Sequence, residues 1–345
     1  MTSVLPAVSA TRELVQPGLR AAVDRLDQQM RRVVAYHLGW CDERGRPMDA
    51  DGGKAVRPAL TLLAARAVGG SPEAAVPGAV AVELVHNFSL VHDDLMDRDA
   101  ERRHRRTVWA VWGDATAVLA GDALLSLAHE VLAESGSPWA GEASRVLAGA
   151  TRELIRGQVQ DLAFERRDDV GLAECFDMAS AKTGALLAAS AAVGAVLAGS
   201  DPRTVQGLAE YGDHVGLAFQ LVDDLLGIWG RTAVTGKPTF SDLRSRKKTL
   251  PVTWAIDDGE DAGAELARWM RRQASAGAPS SGEPDDDELH AVADLLERAG
   301  ARTWAQQEAW RQVALAADAL APLDLRDECR RQLLDLARFV VERDA

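Results

Sequence analysis

Cysteine is scarce: Cys41, Cys175 and Cys329 are the only three in 345 residues, and no two form a CxxC pair. That excludes a zinc ribbon and a disulfide scaffold, and it suits a reducing cytosol, so a cytoplasmic location is expected. Basic charge is also short, with 39 Lys+Arg against 52 Asp+Glu and a net charge of −13. A chain this acidic lacks the basic surface that drives sequence-independent nucleic-acid binding, so no nucleic-acid partner is expected. The opening MTSVLPAVSATREL has no basic leader followed by an apolar core, so no signal peptide is expected. No run of about 18 apolar residues stands out, and no membrane span is expected. Strict apolar/polar alternation is rare, which predicts few strands. What the chain does have is 47% hydrophobic and 26% charged residues, the balance of a soluble globular protein with a sizeable core.

Ala, Leu, Arg and Glu recur throughout, and all are strong helix formers. Helices are predicted over 59–70, 79–97, 115–134, 185–199 and 205–229. Several are apolar on most sides, which means that other helices bury them. The expected fold class is all-α with a large helical core. Residues 274–287 are small, polar and then acidic, and are read as a flexible surface loop, with Asp285–Asp287 a solvated run rather than a metal site. Residues 1–15 are expected to be loosely held.

Two acidic motifs stand out. Asp93, Asp94 and Asp97 form DDxxD inside an otherwise apolar helix, with Asp93 and Asp97 one turn apart on one face. Asp223 and Asp224 sit between AFQLV and LLGIW, again in apolar surroundings. An acidic helix end on the surface is the ordinary reading of either motif alone; two of them, each inside a buried-looking helix, disfavour it. Hard carboxylate oxygens suit Mg²⁺, which binds through one or two carboxylates plus waters and substrate phosphate oxygens. Basic residues flank these motifs: Lys54 and Arg57 beside a glycine turn, Arg102 and Arg103 after DDxxD, Lys182 before a small-residue helix, and Lys237, Lys247 and Lys248 after the second motif. Together they point to one polyanionic ligand, of diphosphate type.

GGKAVRP, HDDLMD followed by RR, GQVQDLAFE, KTGAL, FQLVDD and TGK…KKTLP occur in the order seen in trans-isoprenyl diphosphate synthases. The chain resembles a short-chain member of that family, most similar to bacterial geranylgeranyl diphosphate synthases, from about residue 15 to the end. The resemblance implies a single-domain barrel of antiparallel helices around a deep cavity, usually a homodimer, with the acidic motifs facing each other across its mouth. It implies condensation of an allylic prenyl diphosphate with isopentenyl diphosphate, with about three Mg²⁺ ions when substrate is bound. By motif match, Asp93 and Asp97 would hold two ions and Asp223 the third, supported by Asp94 and Asp224. Arg102, Lys182 and Lys237, with Lys247 or Lys248, would bind the allylic diphosphate. Thr183 and Gln220 would line the forming carbocation, and Lys54, Arg57, His86 and Arg103 would bind isopentenyl diphosphate.

Product length is expected to depend on the side chains below the first motif. Ser89 and Val85 share the Asp93 stripe, and Phe88 lies on its flank. In the family this resembles, an aromatic five residues before an uninterrupted DDxxD goes with a C20 product. Several positions depart from the family pattern. Gly227 stands where a final aspartate is usual, Arg231 where an acidic residue is frequent, His104 and Arg106 where glycine and proline are common, and Ala55 for a frequent arginine. Two other readings compete. A class I terpene cyclase would also use Mg²⁺ and two acidic motifs but needs no isopentenyl diphosphate site, and a non-catalytic partner subunit would be expected to have lost its aspartates.

Overall fold

The computed structural model describes residues 4–48, 55–230, 239–271 and 284–342. Helices cover about 77% of the chain, as the all-α expectation requires. The described strands are two short ones, Glu101–Arg102 and Arg105–Arg106, paired antiparallel as a hairpin.

The chain divides into two compact units: Met1–Thr151 with Leu186–Gly212 and Ala319–Leu336, and Arg152–Ala185 with Asp213–Asp318 and Ala337–Ala345. The first unit opens with α1 (Val4–Val23), α2 (Gln28–His37), α3 (Val56–Ala67) and α4 (Pro72–Met96). After the hairpin come α5 (Val108–Trp112) and α6 (Asp114–Ala133). Leu60 on α3, Leu84 on α4 and Leu124 on α6 are fully enclosed; each such leucine contributes about 1.5–3 kcal/mol of transfer free energy. Later helices are α7 (Ala140–Phe164), α8 (Leu172–Ala179), a π-helical turn at Ser180–Gly184, α9 (Ala185–Leu197) and α10 (Pro202–Trp229). The second unit then carries α11 (Ser241–Arg244), α12 (Leu250–Asp258), α13 (Glu260–Arg271) and α14 (Asp286–Arg298). The chain ends with α15 (Ala301–Leu320) and α16 (Asp327–Val341). The second unit's core gathers Ile228, Leu243, Val252, Leu266, Leu289 and Leu296 around Trp269, whose indole N–H donates to Glu288 Oε1 at 2.6 Å.

Three sequence expectations need correcting. The N-terminal stretch is helical from Val4, and Thr11 and Val15 on that helix are buried. The acidic run is not a loop. Asp285 caps α14, its carboxylate accepting from the Glu288 N–H at 2.8 Å, while Asp286 and Asp287 fill the first turn. Acidic side chains there satisfy free N–H groups and oppose the helix dipole. The rest of that predicted loop, 272–283, lies outside the described residues. Finally, three stretches do reach the length and hydropathy of a membrane span: Pro72–Met96, Asp114–Ala133 and Leu172–Leu197, whose most apolar windows are 67%, 39% and 78% buried within the protein.

Candidate active site

Each acidic motif splits into a carboxylate turned outward and one turned inward. On α4, Asp93 and Asp97 are half-buried, while Asp94 is only 2% exposed. Asp94 Oδ1 accepts from Arg102 Nε at 2.7 Å. Burial pushes the Asp94 carboxyl up to about 6, with the arginine opposing the shift. Arg102 reaches Asp94 because the chain reverses tightly after α4. Arg103 and His104 both take left-handed backbone (φ 52° and 59°) between the two strands. Two consecutive left-handed residues make the hairpin turn that glycine or asparagine ordinarily supplies, so the glycine-to-histidine departure at His104 leaves a strained turn. The hairpin is tied to α2. Tyr36 Oη donates to the Arg106 carbonyl at 2.7 Å, Arg105 Nη2 donates to the Tyr36 carbonyl at 2.8 Å, and the Arg105 guanidinium lies over the Tyr36 ring.

Arg57, Arg102 and Arg103 lie around a half-buried histidine pair, His37 and His86. Arg57 Nη1 is 3.3 Å from His86 Nε2. A guanidinium only donates, so that nitrogen accepts and the imidazole is neutral. Burial holds His86 well below its usual value, and Arg57, Arg103, Arg102 and His37 add to the shift. His37, which belongs to none of the motifs, is pushed down to about 3 by burial together with Arg103 and Arg102. Its Nε2–H donates to Asn87 Oδ1 at 3.1 Å, and Asn87 Nδ2 donates to Glu83 Oε1 at 3.0 Å. Three arginines beside two neutral histidines concentrate positive charge here, offset in part by Glu83, which faces Arg57 and Arg103. Lys54, expected in the same group, lies outside the described residues.

The second unit builds its polar centre on the π-helical turn. A π-turn inserts one residue into the helix, a feature that recurs at functional sites. Here it carries Lys182 and Thr183. Lys182 Nζ donates to Asp161 Oδ2 at 2.6 Å. Burial opposes the Asp161 charge, but Lys182 and Lys247 outweigh it and leave this carboxyl below its usual range. Thr183 Oγ1 donates to Gln220 Oε1 at 2.7 Å, and Gln220 Nε2 donates to Asp224 Oδ1 at 2.7 Å. Asp224 Oδ2 closes the chain by accepting from the Leu250 N–H at 3.0 Å. Burial, with Asp242 and Asp223 nearby, raises the Asp224 carboxyl to about 8. Asp223, one residue earlier, is exposed. The Lys248 ammonium is lowered by burial. Lys237 and Arg231 lie outside the described residues.

Gly227, the departure in the second motif, has a local reason. A Cβ built there would come within 2.0 Å of Asp242 Oδ2. The carboxylate missing from position 227 is therefore matched by one that α11 brings to the same place. The sequence left Asp242 and Asp161 unassigned, although Asp161 belongs to the quoted GQVQD motif. Gln158 of that motif is 5% exposed, and neither end of its amide finds a partner among the described residues. An unsatisfied buried amide costs about 1–3 kcal/mol per group, so it marks a place prepared for a ligand or water.

Among the described residues no three His, Cys, Asp or Glu side chains converge into a closed metal cage. Magnesium needs none: one or two carboxylates suffice when waters and phosphate oxygens complete its octahedron. Asp93 and Asp97 in the first unit, and Asp223 in the second, are oxygen donors of that kind, so the chemistry of the residues present fits the ion.

Comparison with known proteins agrees with this chemistry. The polyprenyl synthetase family model matches residues 40–279. The chain is 59% identical over 342 residues to a (2E,6E)-farnesyl diphosphate synthase of Mycobacterium tuberculosis, covering 99% of this chain and 94% of that one. A geranylgeranyl diphosphate synthase of the same organism is 42% identical over 260 residues, 75% of this chain and 74% of the other. A crystal structure of a polyprenyl synthetase from Streptomyces coelicolor superimposes with a TM-score of 0.93 at 53% identity, covering 98% of this chain and 99% of that one. With its all-α fold and its ordered set of acidic and basic motifs, the chain belongs to the polyprenyl synthetase family and is a short-chain trans-prenyltransferase.

Proposed function

We propose that this prenyltransferase extends an allylic diphosphate with isopentenyl diphosphate and stops at geranylgeranyl diphosphate, C20. The observation carrying the chain length is Phe88, a buried ring five residues before Asp93 on an uninterrupted DDxxD helix, with the small Ser89 beside it. In this reading Arg57, His86 and Arg103 bind isopentenyl diphosphate in the first unit, with Lys54. Neutral His86 donates or accepts without adding a fourth positive charge to the three arginines. Arg102, Lys182, Lys237, Lys247 and Lys248 bind the allylic diphosphate. Asp93, Asp97 and Asp223 would hold Mg²⁺, which when bound neutralises charge growing on the departing diphosphate. The Thr183–Gln220–Asp224 chain fixes oxygen dipoles toward the carbon that becomes positive, stabilisation that needs no reorganisation at the moment of reaction. The proton lost after condensation goes to the released diphosphate, so no dedicated protein base is required.

A C15 product is the second reading, favoured by the 59% identity to farnesyl diphosphate synthases. The deciding experiment supplies dimethylallyl, geranyl or farnesyl diphosphate with isopentenyl diphosphate and Mg²⁺, and chromatographs the dephosphorylated products. Consumption of farnesyl diphosphate to a C20 alcohol supports the first reading, and accumulation of C15 with no use of farnesyl diphosphate supports the second. Homodimer formation belongs to the same proposal. Helix α6 leaves Val118 and Leu119 exposed at 42% and 57% although it is apolar enough to seek burial, and a second copy would cover it. The family match enters both compact units, which supports a single functional domain. The three buried free thiols support a reducing, cytoplasmic setting.

A further inference from the structure

A ring can stop a growing chain only if something holds it still. Phe88 is 6% exposed, and its ring meets the His92 imidazole edge-on, with centroids 4.9 Å apart and planes at 69°. The two residues are one helical turn apart on α4, so this contact is local. His92 also reaches across to α6, where its Nε2 lies 3.1 Å from the Val118 carbonyl oxygen. A carbonyl only accepts, so Nε2 carries the proton and donates, which fixes both the tautomer and the ring orientation. The space for the imidazole exists because residue 121 on α6 is glycine. A Cβ there would stand 2.1 Å from His92 Nε2 and 2.3 Å from its Cδ2. Val118 and Gly121 are neighbours on one face of α6. The imidazole is therefore bonded to one of them and seated in the notch left by the other, with Phe88 leaning on its edge.

We propose that His92 is a positioning residue for product length: it bridges α4 to α6, seats in the notch at Gly121, and locks Phe88 in the orientation that blocks the growing prenyl chain. The proposal rests on the reading of Phe88 as the floor. A helical phenylalanine has two accessible χ1 wells. Without the imidazole, the ring can swing between them or sink into the vacated space, and the floor leaks. Turnover of the first condensation and length of the final product are then separable properties, the second depending on a contact that touches no diphosphate.

The test is the product-length distribution, measured by chromatography of dephosphorylated products at matched conversion. The proteins compared are wild type, Phe88→Ala, His92→Ala, the double variant, and Gly121→Ala. Phe88→Ala is expected to shift the main product upward by one isoprene unit or more. His92→Ala is expected to raise the ratio of longer to wild-type product several-fold, and Gly121→Ala, which leaves both rings intact but closes the notch, to do the same. The double variant should give the Phe88→Ala distribution, because His92 acts through Phe88. Lengthening by Phe88→Ala with unchanged distributions from both His92→Ala and Gly121→Ala would overturn the latch and leave the floor standing. An unchanged distribution from Phe88→Ala would overturn the floor and the latch with it. A double variant that lengthens products beyond Phe88→Ala would show that His92 acts independently. Reduced overall activity does not obscure the result, since the ratio is read on whatever product forms.

Discussion

The two acidic motifs solve one electrostatic problem in different ways. Each has an inward aspartate beside an outward one. On α4 the inward Asp94 is met by a full positive charge, the Arg102 guanidinium, and its carboxyl rises only to about 6. On α10 the inward Asp224 is met by two neutral donors, the Gln220 amide and the Leu250 N–H, with the like charge of Asp242 close by, and it rises to about 8. Burial therefore raises the second inward carboxyl further than the first, which a guanidinium holds back. Beside Asp224 stand two further carboxylates, Asp223, which is exposed, and Asp242, which occupies the space left by Gly227. A motif written as consecutive aspartates conceals which of them is buried and what meets it there.

The largest effect is expected at the outward residues. Asp93→Ala and Asp223→Ala should each lower turnover by roughly 10²–10³-fold, with the far-UV circular dichroism unchanged because neither side chain is fully buried. Activity of the wild type should vanish with a chelator and return with Mg²⁺. Full turnover by either variant would remove that aspartate from the mechanism and reduce the comparison to one of stability.

Removing the donors comes next. Arg102→Ala strips the charge partner from a carboxylate that is 2% exposed, and should cost roughly 1.5–3 kcal/mol in urea unfolding at neutral pH. Gln220→Ala removes one neutral donor from the buried Asp224 carboxyl, and should cost about 0.5–1.5 kcal/mol. Equal costs would mean that a charged and a neutral donor serve the two inward aspartates alike.

The pH dependence separates them directly. Both carboxyls bind their proton more tightly in the folded chain than in the unfolded one. Their contribution is therefore fullest at low pH and is lost as pH rises, through about 4 to 6 for Asp94 and about 4 to 8 for Asp224. Asp224→Asn should flatten the decline of Tm with pH over the wider window, and Asp94→Asn only over the narrower one. Thermal melts across that range read this out, and a wild-type slope in Asp224→Asn would mean that the buried carboxyl ionises as freely in the folded state as in the unfolded one.

Much of this was legible in the sequence. The apolar stretches gave helices at 59–70, 115–134, 185–199 and 205–229 that match α3, α6, α9 and α10 to within a few residues, because composition and breakers act locally. The helix read over 79–97 begins at Pro72, ahead of its apolar stretch. Thr183 and Gln220 were chosen together and do share a hydrogen bond. By charge alone the Asp285–Asp287 run looks solvated, although Asp285 with Glu288 three residues on is a helix-start pattern. Which aspartate of each pair faces inward was not legible, since a helical wheel places them 100° apart without saying where the neighbours stand. His92 with Gly121, and Gly227 with Asp242, are contacts between residues on different helices, and no local pattern encodes them.

The smallest expected effect concerns how the first motif obtains its arginine. Arg102 returns to Asp94 through a turn whose central residues, Arg103 and His104, both hold positive φ. A left-handed non-glycine residue costs about 1–2 kcal/mol, whereas the second motif takes one of its donors from a glutamine on its own helix, which needs no turn. His104→Gly should relieve that cost, offset by the extra freedom glycine gives the unfolded chain, for a net stabilisation of at most about 1 kcal/mol. Urea unfolding at neutral pH measures it. Because Arg102 keeps its position in this variant, the cost of adding Arg102→Ala should be unchanged within about 0.5 kcal/mol. A smaller cost would mean that the strained turn itself holds the guanidinium against Asp94, so that the first motif's charge balance depends on hairpin geometry as well as on the presence of an arginine.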